Sequence, residues 1–235
     1  MAQAGWMSPP RFLGLTEAGW ISVALVGIAL AWDASGLDLA LAQLAGTPAG
    51  FPWRDTWLLS TVLHEGARRL SWLLALGVCL AVWWPVGPFA RIGQRERLQL
   101  AATTLLGALA VSLLKAASHT SCPWDLQQFG GLAHHVSHWS LGRDGGSGHC
   151  FPAGHSSSGF TFVGGYFAFR TVRPRLARAW LACALAAGLV LGLAQQWRGA
   201  HFMSHTLWAA VVCWGVACLV EAVWPRGRGA EGKQE

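Results

Sequence analysis

The chain has 235 residues, of which 53% are hydrophobic and only 12% charged, with a formal net charge of +6. Soluble domains carry roughly 25% charged residues, so this composition excludes an ordinary water-soluble enzyme and predicts a membrane protein. The basic residues cluster between apolar runs. That pattern sets orientation in a bilayer and contact with anionic lipid, and it gives no reason to expect nucleic-acid binding.

Six stretches without Asp, Glu, Lys or Arg predict six spans, at about 18–32, 70–90, 98–114, 156–169, 179–197 and 202–220. A bilayer core needs roughly 20 helical residues, so the short first and fourth runs must borrow flanking residues. Met1 to Gly19 lacks the basic start, apolar centre and small-residue site of a cleavable signal. The first span ends at Trp32-Asp33. An outer segment, 34–69, follows, with apolar stretches at Leu37–Leu44 and Trp57–Leu63 that predict surface-lying amphipathic helices. The second span is expected to end at Trp83-Trp84-Pro85, with Pro88 marking the exit. The third runs from Leu98 to Lys115. Residues 116–151 form the longest outer loop, rich in Gly, His and Ser and without a hydrophobic pattern of its own; such loops are often functional. The fourth span opens at His155, the fifth ends at Gln195-Gln196-Trp197, and the sixth begins at His201. A polar tail, about 226–235, is expected to be disordered. The fold class is therefore all-α, a six-transmembrane-helix bundle with short amphipathic outer-face helices, in a single domain over 1–235. Fifteen tryptophans, many near span ends, read as interfacial anchors.

With the N-terminus inside, the inner segments hold eleven Lys and Arg residues, among them Arg11, Arg91, Arg95, Arg97, Arg170, Arg173, Arg175, Arg178, Arg226, Arg228 and Lys233, against six outside. The basic excess puts both termini in the cytoplasm and both histidine-rich clusters at the outer face. Cys79, Cys183, Cys213 and Cys218 lie in apolar runs as small hydrophobes. Cys122 and Cys150 share the outer loop, where an oxidising compartment would let them pair; two buried free thiols is the alternative.

The chemistry concentrates in two clusters. In Arg198-Gly-Ala-His201-Phe-Met-Ser-His205, the two histidines are four apart and share a helix face. A neutral imidazole is a competent nucleophile toward phosphorus, and its neighbour can hold its tautomer. In Phe151-Pro-Ala-Gly154-His155-Ser156, a turn leads into a helix start whose amides, with the Ser156 hydroxyl, suit a phosphate oxygen. His155 is placed to protonate a leaving oxygen. Lys115 ends an apolar run at the same face, so Lys115 and Arg198 supply two cations for a phosphoryl group.

These residues resemble the type 2 phosphatidic acid phosphatase superfamily of membrane phosphatases, whose motifs read K-x6-R-P, P-S-G-H and S-R-x5-H-x3-D. Here they are Lys115 to Cys122-Pro123, Pro152-Ala153-Gly154-His155, and His201-x3-His205, within a motif region 115–205. The resemblance implies a phosphohistidine mechanism with His201 as nucleophile and His155 as acid. Lys115, Arg198 and the backbone after Gly154 would hold the phosphate, without metal or other cofactor. The departures are Cys122 in place of the first-motif arginine, Gln195 at the third-motif arginine position and His205 in place of the aspartate that orients the nucleophile. Asp125 is a candidate for that carboxylate, and His119 for lining the site.

The expected substrate is a phospholipid or polyprenyl phosphate, with undecaprenyl diphosphate favoured over phosphatidic acid, phosphatidylglycerol phosphate and lipid A. The expected place is a bacterial inner membrane with a periplasmic site. A lipid-to-lipid phosphotransferase is one alternative, and a non-enzymatic haem- or metal-binding protein using His155, His201 and His205 another. His134, His135, His138 and His149 are read as structural, and His64, Glu65, Arg68 and Arg69 as facing water.

Overall fold

The computed structural model describes residues 16–224. Arg11, Arg226, Arg228, Lys233 and the tail expected to be disordered lie outside the described residues. Four helices are long and apolar enough to cross a membrane: α1 (Glu17–Ser35), α4 (Gln94–Ala117), α7 (Pro174–Trp197) and α8 (Met203–Val223). At 1.5 Å per residue, the 24 residues of α4 and of α7 reach about 36 Å, more than a bilayer core.

The other two apolar runs are helical but shorter. The second does not extend to residue 90. Its helix, α3 (Ala67–Leu80), gives way to turns before Pro85, whose ring disfavours helix in the residue ahead of it. In the other direction α3 continues backward without a break into a π-helical segment, Leu58–Gly66. The stretch around Trp57–Leu63 is thus not a separate surface helix. Nothing in it except Gly66 breaks a helix, and Arg68 bridges the junction to Glu65 at 2.7 Å. The expected helix at Leu37–Leu44 is present as α2 (Leu37–Gln43). The fourth run divides into α5 (Gly154–Phe160), a 3-10 turn (Thr161–Gly164) and α6 (Gly165–Phe169).

Glycine lets α5 approach α7. A Cβ on Gly159 would stand 2.3 Å from the backbone nitrogen of Gly188. Membrane helices associate through such small-residue contacts, because lipid supplies no hydrophobic drive between them. Gly159→Ala is expected to lower stability by about 1–3 kcal/mol, read as a lower thermal midpoint in detergent. Phe160, Phe169, Leu100 and Trp214 fill the centre of the bundle. Large apolar side chains such as Leu73, Leu113 and Leu219 remain exposed on its flanks, as a lipid-facing surface requires.

The two ends of the bundle differ. At the end where α4, α7 begin and α8 finishes, Arg170 pairs with Glu221 at 2.6 Å and Arg178 with Glu17 at 2.9 Å. At the other end, residues 118–153 form a cap with a small core of its own. Leu126, Phe129 and Ala133 pack with Ala42, Phe51 and Phe202. A disulfide joins Cys122 to Cys150. Asp144 receives the amide and hydroxyl of Ser121 at 2.5 and 2.8 Å and the amide of Gly146 at 3.0 Å. Burial alone would raise the Asp144 pKa, but these donors outweigh it and hold the carboxyl below its usual range.

Candidate active site

The site lies under this cap, where α4 ends and α5 and α8 begin. Lys115, in the last turn of α4, reaches across to the start of α5: a Cβ on Gly154 would stand 3.6 Å from the Lys115 Nζ. The first turn of α5 has no side-chain cap, and the Ala153 amide donates to the His205 carbonyl at 3.0 Å. That bond ties the start of α5 to the first turn of α8. The Ser156 hydroxyl is fully buried and donates to the Ala153 carbonyl at 2.9 Å, so it faces its own helix rather than the cavity beside Lys115.

His201 and His205 are both buried, with ring centroids 5.8 Å apart in an edge-to-face arrangement. Burial, and then the neighbouring Lys115 ammonium, His205 and His155, hold the His201 imidazole well below the usual histidine range. The same four groups therefore share one electrostatic environment. His201 Nδ1 faces the Cys150 sulfur at 3.5 Å. A disulfide sulfur has no proton to give, so this contact is a hydrogen bond only in the tautomer with the proton on Nδ1, which leaves the lone pair on Nε2.

Arg198 is buried and two of its donors are engaged, which fixes the guanidinium: its Nε donates to the Arg54 carbonyl at 2.8 Å and its Nη1 to Gln195 Oε1 at 3.1 Å. Gln195 thus supports Arg198. The following turn needs Gly199, which has φ 74° and whose Cβ would strike the Phe51 ring at 2.3 Å. Asp125 does not meet His201 or His205; its carboxylate receives the Ser147 hydroxyl at 3.1 Å. His119 is exposed.

Several residues at the site carried no such signal in the sequence. His64 stacks on His155 with centroids 3.8 Å apart, and Arg68 lines the same cavity as Lys115 and His155. The stretch expected to face water is therefore one wall of the site. The straight continuation of the 58–66 segment into α3 puts it there. A cue lay in His64 and Arg68, one turn apart, on a stretch whose other charges, Glu65 and Arg69, made it read as a water-facing patch. Asp38 was likewise missed. It accepts the Ser204 amide at 3.0 Å and the Ser204 hydroxyl, and so caps α8, whose own N-cap residue, Phe202, has no side chain to do it.

A cation, a glycine turn and two histidines under one cap can bind and accept a phosphoryl group. The sequence matches the PAP2 superfamily over residues 96–228, more than half of its length. The chain belongs to the PAP2 superfamily. No curated protein and no solved structure matches it. Members of the PAP2 superfamily act on phosphate esters as phosphatases or phosphotransferases. The matched span contains Lys115, His155, Arg198, His201 and His205, and leaves out α1, α2 and α3.

Proposed function

We propose that this PAP2 member is a lipid phosphatase of a bacterial inner membrane, with six spans, both termini cytoplasmic and its site at the periplasmic face. It hydrolyses a phosphate monoester or diphosphate lipid, with undecaprenyl diphosphate as the favoured substrate. His201 Nε2 attacks phosphorus, His155 protonates the departing lipid oxygen, and water then hydrolyses the phosphohistidine. Lys115, Arg198 and the amides following Gly154 hold the phosphate.

One observation carries the lipid part of this reading. A cavity of about 180 Å³ begins at Lys115, Gly154, His155 and Arg68 and descends along the seam between α3 and α4. Its lower walls are Ala75 on α3 and Thr104, Leu105 and Ala108 on α4. From Lys115 to Thr104 the groove follows α4 for about 16 Å. It carries its charges at the phosphate end, and below them Trp72, Ala75, Leu105 and Ala108 share the walls with uncharged Thr104 and Thr161, a profile that suits a phosphorylated amphiphile. The basic loops at the opposite end of the bundle support the orientation.

The test is a phosphate-release screen in lipid nanodiscs with undecaprenyl diphosphate, phosphatidic acid, phosphatidylglycerol phosphate and lipid A, with His201→Ala as control. Release from none of them would end the reading. The groove makes its own prediction. Ala108→Trp should cut turnover of a long-chain lipid phosphate by about tenfold or more, while hydrolysis of soluble p-nitrophenyl phosphate stays near the wild-type rate. Equal losses on both substrates would show that the seam does not hold the chain.

A further inference from the structure

Four ionisable side chains stand in file from the end of α1 to the start of α8. Asp33 Oδ2 meets His138 Nε2 at 3.3 Å. The His138 and His205 rings lie edge to face at 5.8 Å, and His205 and His201 do the same at 5.8 Å. Asp33 is held firmly, for its Oδ2 also receives the indole N–H groups of Trp139 at 3.1 Å and Trp208 at 2.9 Å. His138 is fixed by stacking on Phe151 at 4.4 Å, next to the disulfide.

The arrangement is costly. Asp33 Oδ1 and His205 Nδ1 are buried with no hydrogen-bond partner, and His138 Nε2 has only the ion contact with Asp33. Polar atoms buried in this way destabilise a fold by about 1–3 kcal/mol each. Asp33, Asp38, His135, His138, Phe202 and His205 line a cavity of about 250 Å³ that shares no lining residue with the one at Lys115. Among the described residues, the groups that act most on His201 are the Lys115 ammonium and the imidazoles of His205 and His155, none of them a carboxylate. When Nε2 of a ring whose Nδ1 is protonated bonds to phosphorus, the ring becomes positive. A negative charge fixed beyond His205 favours that step.

We infer that Asp33, acting through His138, is the positioning carboxylate of the His205–His201 pair. This inference rests on the phosphohistidine reading. It draws on α1 and the outer loop, and Asp33 lies outside the segment that matches the superfamily. Asp33 touches neither substrate nor the reacting nitrogen; it sets the orientation and the charge balance of the pair that does.

Asp33→Asn keeps the size and an acceptor for the indoles while removing the charge. It should lower kcat about tenfold to a hundredfold with KM within about twofold of wild type, and move the acid limb of the kcat profile to lower pH. Trp214→Phe removes the indole bond from α8 to Ser22 of α1 at 2.8 Å without touching Asp33, so it serves as the structural control and should keep kcat near wild type. Histidine NMR titration of the same proteins reads the coupling without turnover. The midpoints of His138 and His201 should fall in Asp33→Asn and stay put in Trp214→Phe. Unmoved midpoints in Asp33→Asn, or an equal kcat loss in both variants, would overturn the inference. Wild-type protein that releases no phosphate from any lipid would instead remove the functional reading, and the titration alone would then decide the coupling.

Discussion

His201→Ala should reduce phosphate release on the order of 10⁴-fold or more, the scale of losing a covalent nucleophile, and should abolish formation of an acid-labile phosphoenzyme. The argument begins with protonation. Burial and the Lys115 ammonium hold the His201 imidazole well below the usual histidine range, so it stays neutral through the neutral region. The sign follows directly. A group that is active when neutral and whose pKa is depressed loses activity only as pH falls well below 6.5. The same depression stabilises the folded protein above the unfolded histidine value near 6.5, and that contribution disappears as pH drops through the lower folded value. Rapid quench with ³²P-labelled lipid at pH 5 and pH 7 measures the intermediate. A labelled phosphoenzyme in His201→Ala would place the nucleophile elsewhere. His155→Ala separates the roles, since loss of an acid slows both release of the lipid alcohol and hydrolysis but leaves the attacking nitrogen in place.

The four-residue spacing drew attention to this pair, but the shared helix face it implied is not what joins them: α8 starts at Met203, so His201 lies two residues ahead of the helix and its ring meets that of His205 edge to face at 5.8 Å. Lys115 was legible because a lone cation at the end of an apolar run marks a span end, and α4 ends two residues later at Ala117. The partners that surround them were not legible. His64 is brought into a 3.8 Å stack on His155, itself legible from its motif, by the crossing of two distant segments, and no periodic pattern marks His64 as part of the site. Asp33 and His138 likewise meet only because the outer loop folds back over the end of α1. That loop looked patternless because its core takes Leu126, Phe129 and Ala133 from irregular turns and pairs them with Ala42, Phe51 and Phe202 from elsewhere. The end of the second apolar run was misplaced for a simpler reason. Trp83 and Trp84 extend the apolar composition past Leu80, but composition does not reveal that the backbone has already turned.

Lys115→Met should lower kcat/KM by about 10²–10³-fold, the usual consequence of removing one preorganised charge from a forming oxyanion, while leaving the thermal midpoint unchanged or higher. The two effects oppose each other because of where the ammonium sits. It lies partly buried on a wall it shares with Ser112, Ala108 and Leu105, with no carboxylate bonded to it among the described residues. An unpaired cation in such surroundings is paid for in stability, and methionine keeps the stem and removes that cost. A lysine that merely snorkelled to the interface would give the reverse: little change in turnover and a small loss of stability. Arg198 makes the comparison sharper. Its guanidinium is held by Arg54 and Gln195, so Arg198→Met should lose activity and stability together as those buried acceptors lose their donor. Differential scanning fluorimetry beside initial rates on one lipid substrate distinguishes the two patterns. If Lys115→Met keeps wild-type kcat/KM, the phosphate is not held at Gly154, and the cavity between α3 and α4 ends on a surface charge rather than on a reaction site.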